Sequence, residues 1–100
     1  MVHYILVDSN VIPVPLPEWI FWFETADRTI AKTQVGESMV STVFLGIDHS
    51  FGFRGTPILF ETLVFGGLLD DEMERYATLK EARLGHEQMI ARVRASAARG

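Results

Sequence analysis

The sequence predicts an α+β protein in which an antiparallel sheet of four or five strands packs against two helices as a two-layer sandwich. Two long apolar runs, residues 39–47 and 58–65, have the composition of strands. A helical pattern with a capping signal begins at Thr78, and a second, apolar helical pattern follows Pro17. Short connections between these segments favour the order β-α-β-β-β-(β)-α in a single domain, residues 1–100.

Composition places the chain among small globular proteins. Its 100 residues are 48% apolar, which is enough for one core and too few for two. The net charge of −4 disfavours nucleic-acid binding, which ordinarily needs a basic surface. No cysteine is present, so disulfides and thiolate metal sites are excluded. The sequence shows neither a signal-peptide pattern nor a membrane-spanning run, so we expect a cytoplasmic protein without a membrane partner.

The first quarter of the chain predicts a strand, a connector and a helix. Residues 3–7 are bulky and β-branched and end in an Asp-Ser-Asn turn cluster, which predicts a strand. Residues 11–17 contain three alternating prolines and predict an extended connector. Residues 18–26 place aromatic and aliphatic side chains at helical spacing. Because this helix is almost entirely apolar, it must be covered widely, by the sheet or by a partner chain.

Residues 29–35 and 39–47 predict a hairpin around Gly36, which can supply the positive φ of a two-residue turn. The first of these strands is polar and is predicted to be an edge strand, with Ile30 on the same face as Lys32. The second is apolar on both faces and is predicted to be central. The predicted cross-strand partners are Thr33 with Val40, Ala31 with Thr42, and Thr29 with Phe44.

The second half of the chain predicts one more long strand and one long helix. Residues 58–65 form the strand, and residues 68–74 are compatible with a loop, a helical turn or the approach to a fifth strand. Thr78 and Glu81 have the spacing of a capping box, which predicts the start of the helix. The predicted inner stripe of that helix consists of Ala82, His86, Met89, Ile90, Val93 and Ala97.

The two long strands have more apolar surface than one layer of helices can cover. An exposed apolar sheet face of this size indicates an interface. We therefore expect a homodimer that buries the second face of the sheet.

The loop at residues 48–57, between the two long strands, is the predicted working surface, because long loops on rigid strands often carry function. Its glycine-flanked backbone N–H groups, one guanidinium and two aromatic rings suit a phosphate, a stacked base or a partner protein. In the alternative, the loop folds back and its phenylalanines cap the sheet edge. The candidate binding residues are Asp48, His49, Phe51, Phe53, Arg54, Thr56 and, on the next strand, Glu61.

Catalysis is the competing interpretation of the same residues. His49 with Asp48 or Glu61 would suit a small hydrolase or nuclease. However, members of a catalytic triad meet through the fold rather than as sequence neighbours, and no glycine-flanked serine is present. Asp48 could instead form a turn, and Glu61 an ion pair. The candidate partners of Glu61 are Arg28, Arg54 and Arg75.

The three histidines do not predict a metal site. Their positions, 3, 49 and 86, lack the spacing of metal ligands. His86 lies on the apolar stripe of the last helix, which indicates a core or interface histidine hydrogen-bonded to a carbonyl. No catalytic residue, metal ligand or cofactor is predicted.

Four segments resemble a family of small proteins from bacteriophages and prophages. They are WFETADR (22–28), VSTVFLGIDHSFG (40–52), PILFETLVFGG (57–67) and RYATLKEARLGHE (75–87). The likeness covers most of the chain, and Leu79 stands where the family usually has a tryptophan after the Thr78 cap. The resemblance implies a small accessory protein acting in the host cytoplasm, and it transfers no catalytic residue to this chain.

Together these observations favour a non-enzymatic binding module. The resemblance implies a host target, as in proteins that counter host defences. We expect that target to be a host protein or, alternatively, a phosphate-bearing nucleotide messenger held by Arg54 and the loop. Two other classes remain open, namely the small hydrolase or nuclease and a structural or assembly accessory protein.

Overall fold

The computed structural model describes residues 2–50 and 55–99. Those residues form an α+β fold with a two-stranded and a four-stranded antiparallel sheet, as the sequence predicts for the class. The four-stranded sheet has the strand order β3-β4-β5-β6. The elements are β1 His3–Val7, β2 Asn10–Val14, α1 Leu16–Thr25, β3 Thr29–Val35, β4 Ser38–Phe44, β5 Phe60–Phe65, β6 Met73–Tyr76 and α2 Leu79–Arg99.

The predicted connector at residues 11–17 is wrong, because most of it forms a strand. β2 pairs with β1 as a hairpin in which Tyr4 lies opposite Pro13. A proline is tolerated in a strand that has a partner on only one side, since its missing N–H need not belong to the ladder. Pro15 and Pro17 then lie at the start of α1, where a helix has spare N–H groups, so α1 begins two residues earlier than predicted.

The hairpin formed by β3 and β4 confirms most of the predicted register. Thr33 pairs with Val40 and Ala31 with Thr42, and Gly36 in the turn has a φ of +57°. The predicted partner of Thr29 is wrong, since Thr29 pairs with Val43 across a register shift. The residue at this bulge, Ile30, packs against the core cluster that contains Phe44. The bulge therefore turns Ile30 away from its predicted face and into the core.

The core lies between the four-stranded sheet and α2. One face of β4 and β5 is buried, and α2 covers it with the predicted stripe except for Ala97, which is exposed. The stripe was predicted too long because a helix of 21 residues spans about 31 Å, whereas strands of six or seven residues span about 20–24 Å. The capping box is confirmed, with the Glu81 N–H donating to Thr78 Oγ1 at 3.1 Å.

A chain of hydrogen bonds crosses this core. Its members, here called the threonine–histidine chain, are Thr33, His86, Thr42, Thr62 and Tyr76. His86 Nε2 lies 2.9 Å from Thr33 Oγ1, and His86 Nδ1 lies 2.7 Å from Thr42 Oγ1. The Thr42 and Thr62 hydroxyls are 2.6 Å apart, and the Tyr76 hydroxyl donates to Thr62 at 3.1 Å.

Both ring nitrogens of His86 therefore have a hydroxyl partner. In a neutral ring one nitrogen donates and the other accepts, and each hydroxyl can take the complementary role. His86 is 2% exposed, and burial lowers its pKa. The prediction of a core histidine is confirmed, although its partners are threonine hydroxyls rather than a carbonyl.

β6 resolves the segment that the sequence left open. Residues 68–71 form a turn, after which Met73–Tyr76 adds the fourth strand of the main sheet. The ring of Tyr76 lies against the backbone of α2 at Gly85, where a Cβ atom would overlap the ring. Glycine at this position therefore lets the sheet edge and the helix approach closely.

Candidate functional site

Asp48 holds together the two ends of the predicted loop. Its Oδ1 accepts the N–H of Ser50 and the N–H of Ile58, each at 2.8 Å, and its Oδ2 accepts the Ser50 hydroxyl at 2.9 Å. Burial raises the pKa of the Asp48 carboxyl, but the bonds from Ile58 and Ser50 outweigh it and leave the pKa below its ordinary value. Asp48 is therefore an ionised carboxylate that closes the loop.

His49 is held at the same point of the loop. Its backbone N–H donates to the Ile58 carbonyl at 2.9 Å, and its Nδ1 lies 2.7 Å from the Ile47 carbonyl. A carbonyl only accepts, so Nδ1 carries the proton. These contacts tie Asp48 and His49 to the base of the same loop, and the charge of His49 contributes to the lowered pKa of the Asp48 carboxyl.

The other predicted loop residues are only partly described. Phe51, Phe53 and Arg54 lie outside the described residues. Thr56, which is described, is exposed. Glu61 lies on β5, where its carboxylate is 3.0 Å from the Arg75 guanidinium. The sequence offered an ion pair as the alternative to a functional role for Glu61. The structure contains that ion pair, with Arg75 as the partner.

The N-terminal hairpin and α1 adjoin the base of the loop. The Tyr4 N–H donates to the Gly46 carbonyl at 2.9 Å, and His3 pairs with Ile47 in an isolated bridge. The rings of His3 and Trp19 have centroids 5.0 Å apart. A Cβ at Gly46, which has a φ of +79°, would lie 2.9 Å from Trp19 Nε1. The base of the loop, residues 46–50, and α1 therefore lie at one end of the molecule, here called the α1–loop end.

α1 is the most exposed apolar element of the described chain. None of its ten residues is buried, and Phe21, Leu16 and Ile20 are 76%, 48% and 46% exposed. Apolar side chains of this size at neighbouring helical positions are typical of an interface. The sequence predicted that this helix needs wide coverage, and the folded chain covers only the side formed by Trp19, Trp22 and Phe23.

Charge is distributed unevenly along the chain. Residues 1–27 contain four acidic and no basic side chains, whereas residues 28–100 contain nine of each. The whole net charge of −4 is therefore located in the hairpin, α1 and the residues just after it. Two of these acids, Glu18 and Glu24, are exposed on α1 itself.

The face of the main sheet opposite α2 carries several apolar side chains beside the Glu61–Arg75 ion pair. The pairing register places Met39, Leu63 and Phe65 together on it. Phe65 is 51% exposed, and Met73, which pairs with Leu63, is also exposed. Within residues 2–50 and 55–99 both helices end up elsewhere, since α2 packs on the other face and α1 packs on β1. This surface, here called the open sheet face, is available to a second molecule.

Comparisons of the chain with protein-family models, curated proteins and solved structures find no match. Among the described residues, no group of three or more acidic or histidine side chains could hold a metal ion. In the same residues, neither helix combines the length and the apolar character needed to cross a membrane.

Proposed function

We propose that this chain is a non-enzymatic binding protein that contacts a host protein through the α1–loop end. The observation that supports it is the exposed apolar surface of Leu16, Ile20 and Phe21 on a helix without a single buried residue. Leaving that surface in water is unfavourable by about 25 cal/mol per Å², and a partner that covers it recovers this free energy. Phe21 is the most exposed of the three and is the expected anchor.

The charge around the surface indicates the chemistry of the partner. Glu18 and Glu24 are exposed on α1, which has no basic residue. An apolar patch with lysines or arginines at its rim would match both features. An anionic membrane would not, because helices that bind such membranes carry lysine and arginine on their polar face. The same argument disfavours nucleic acid. The resemblance to small phage proteins supports a partner in the host cytoplasm and a role as a phage accessory protein that disables a host defence.

The open sheet face supports a homodimer as part of this proposal. A two-fold axis through the face would stack Leu63, Phe65 and Met73 on their counterparts. Sedimentation equilibrium should give twice the chain mass for the wild type and a larger monomer fraction for Phe65→Ser. A monomeric wild type would rule this interface out.

The binding proposal is tested by comparing two exposed apolar residues on different helices. Phe21→Ser removes the expected anchor, and Leu84→Ser removes a side chain that is 60% exposed on α2. The host protein captured by the wild-type chain is purified and its affinity for each variant is measured. We expect Phe21→Ser to weaken binding by at least about 30-fold, as for a hot-spot aromatic, and Leu84→Ser to bind like the wild type. Equal binding by Phe21→Ser and the wild type would refute the proposed surface.

A further inference from the structure

A charged pocket of about 300 Å³ lies beside α1 and includes Trp22 in its wall. Five separate segments of the chain line it, namely the β1–β2 hairpin, α1, residues 27–30 at the start of β3, the end of β4, and the first turns of α2. Its volume is at the lower end of the range for small-molecule sites. Its described lining contains none of Leu16, Ile20 and Phe21, so it is distinct from the apolar surface proposed above.

Two carboxylates and two guanidinium groups line this pocket. They belong to Asp8, Asp27, Arg28 and Arg83. The ion pairs found in the described residues join Arg75 to Glu61 and Arg92 to Glu72 and Glu74, so none of the four pocket charges has an ionic partner there. Because these carboxylates and guanidinium groups do not pair with one another, each can form an ion pair or a charge-assisted hydrogen bond with a ligand.

Two of these groups are held in position by hydrogen bonds to neighbouring residues of the pocket wall. The Arg28 guanidinium donates to the Phe44 carbonyl at 3.1 Å and lies 4.1 Å from the centre of the Phe23 ring. These contacts fix the planar group and leave most of its five N–H donors unused. Asp27 Oδ1 accepts the Thr29 N–H at 3.0 Å, and this bond lowers the pKa of the Asp27 carboxyl. Both charges are therefore pre-positioned.

The remaining wall of the pocket is apolar except for Thr29. Leu6, Trp22 and Phe44 line it, and Trp22 meets Phe44 edge to face with ring centroids 5.8 Å apart. A ligand for this pocket should combine an anionic group for the arginines, a cationic group for the aspartates and a hydrophobic part for this wall.

We propose that the pocket binds a small zwitterion of the amino-acid class. The carboxylate of the ligand meets Arg28 and Arg83, its ammonium group meets Asp8 and Asp27, and its apolar side chain lies against Trp22. A phosphate monoester lacks the cationic group and would be repelled by the two aspartates, and a diamine would be repelled by the two arginines. The mixed charge of the pocket thus selects for a ligand that carries both signs.

The test uses L-phenylalanine as the probe, with two derivatives that each lack one charge. N-acetyl-L-phenylalanine has no ammonium group, and L-phenylalanine amide has no carboxylate. Each compound and inorganic phosphate is titrated into the ¹⁵N-labelled protein. We expect L-phenylalanine to shift the indole N–H signal of Trp22 and the amide signals near Arg28, and each derivative to bind at least about tenfold more weakly, because hydrogen bonds to charged groups contribute ~1.5–3 kcal/mol.

Two exposed arginines on α2 supply a matched pair of variants. Arg83→Gln removes a pocket charge and should weaken L-phenylalanine binding about tenfold, whereas Arg94→Gln, outside this pocket at the other end of the helix, should bind like the wild type. Asp27→Asn tests the ammonium contact independently, and circular dichroism verifies that each variant is folded. The proposal is overturned if L-phenylalanine causes no shift at Trp22, if both derivatives bind as well as the parent, or if phosphate alone causes the same shifts.

Discussion

Replacing Thr42 with valine tests whether the threonine–histidine chain stabilises the core. The substitution keeps the shape of the side chain and removes the hydroxyl that joins His86 Nδ1 to Thr62. Both groups are buried, and an unsatisfied buried polar group costs about 1–3 kcal/mol. With two such groups we expect a loss of about 3 kcal/mol in the free energy of unfolding. For a chain of 100 residues this lowers Tm by roughly 10–25 °C.

Urea unfolding followed by circular dichroism measures this loss, and two further variants identify its origin. Thr42→Ser keeps the hydroxyl and deletes one methyl group, so it should cost only about 1 kcal/mol. Combining Thr42→Val with His86→Leu removes both partners of one bond, so the double variant should be less destabilised than the sum of the single variants by at least ~0.5 kcal/mol. A Thr42→Val protein within about 0.5 kcal/mol of the wild type would refute the reasoning.

Two further predictions concern titration and the loop. Burial lowers the pKa of His86, so the unfolded chain takes up the proton at a higher pH than the folded chain does. The stability contributed by neutral His86 is therefore complete above the unfolded pKa of about 6.5. It declines below that pH, by up to ~1.4 kcal/mol per pH unit. Urea unfolding between pH 7 and 5 should show this slope in the wild type and a smaller slope in His86→Gln. Asp48→Ala should accelerate hydrogen exchange at the Ile58 amide, which the carboxylate now binds, whereas Asp70→Ala, at another turn, should leave that amide unchanged.

The elements that the sequence predicted correctly are those specified by local signals. Gly36 fixes a two-residue turn, and the turn fixes the register of Thr33 with Val40. The Thr78 and Glu81 side chains similarly mark the start of α2. The errors arise where tertiary packing decides. The bulge at Ile30 is stabilised by contacts with the core, and no residue pattern within β3 predicts it.

The candidate sites show the same contrast between features set by local sequence and features set by tertiary packing. The turn-forming role weighed for Asp48 depends on its immediate neighbours, and the structure contains the expected bond to Ser50. Its bond to Ile58, ten residues away, needs the fold. The charged pocket could not be predicted at all, because Asp8, Asp27 and Arg83 come from distant segments and none belongs to a recognisable motif.

The two exposed apolar surfaces belong to different parts of the fold, so dimerisation and target binding can be tested separately. Phe21 lies on α1, whereas Phe65 lies on β5, and α1 packs on β1 and meets the main sheet through Trp22 and Phe44 on the side that α2 covers. A dimer through the open sheet face therefore leaves the α1–loop end of each subunit exposed. Phe65→Ser should weaken dimerisation and leave the affinity of one subunit for its target unchanged, and Phe21→Ser should do the reverse. If Phe21→Ser instead dissociates the dimer, the exposed helix serves self-association, and the target must be sought on another surface.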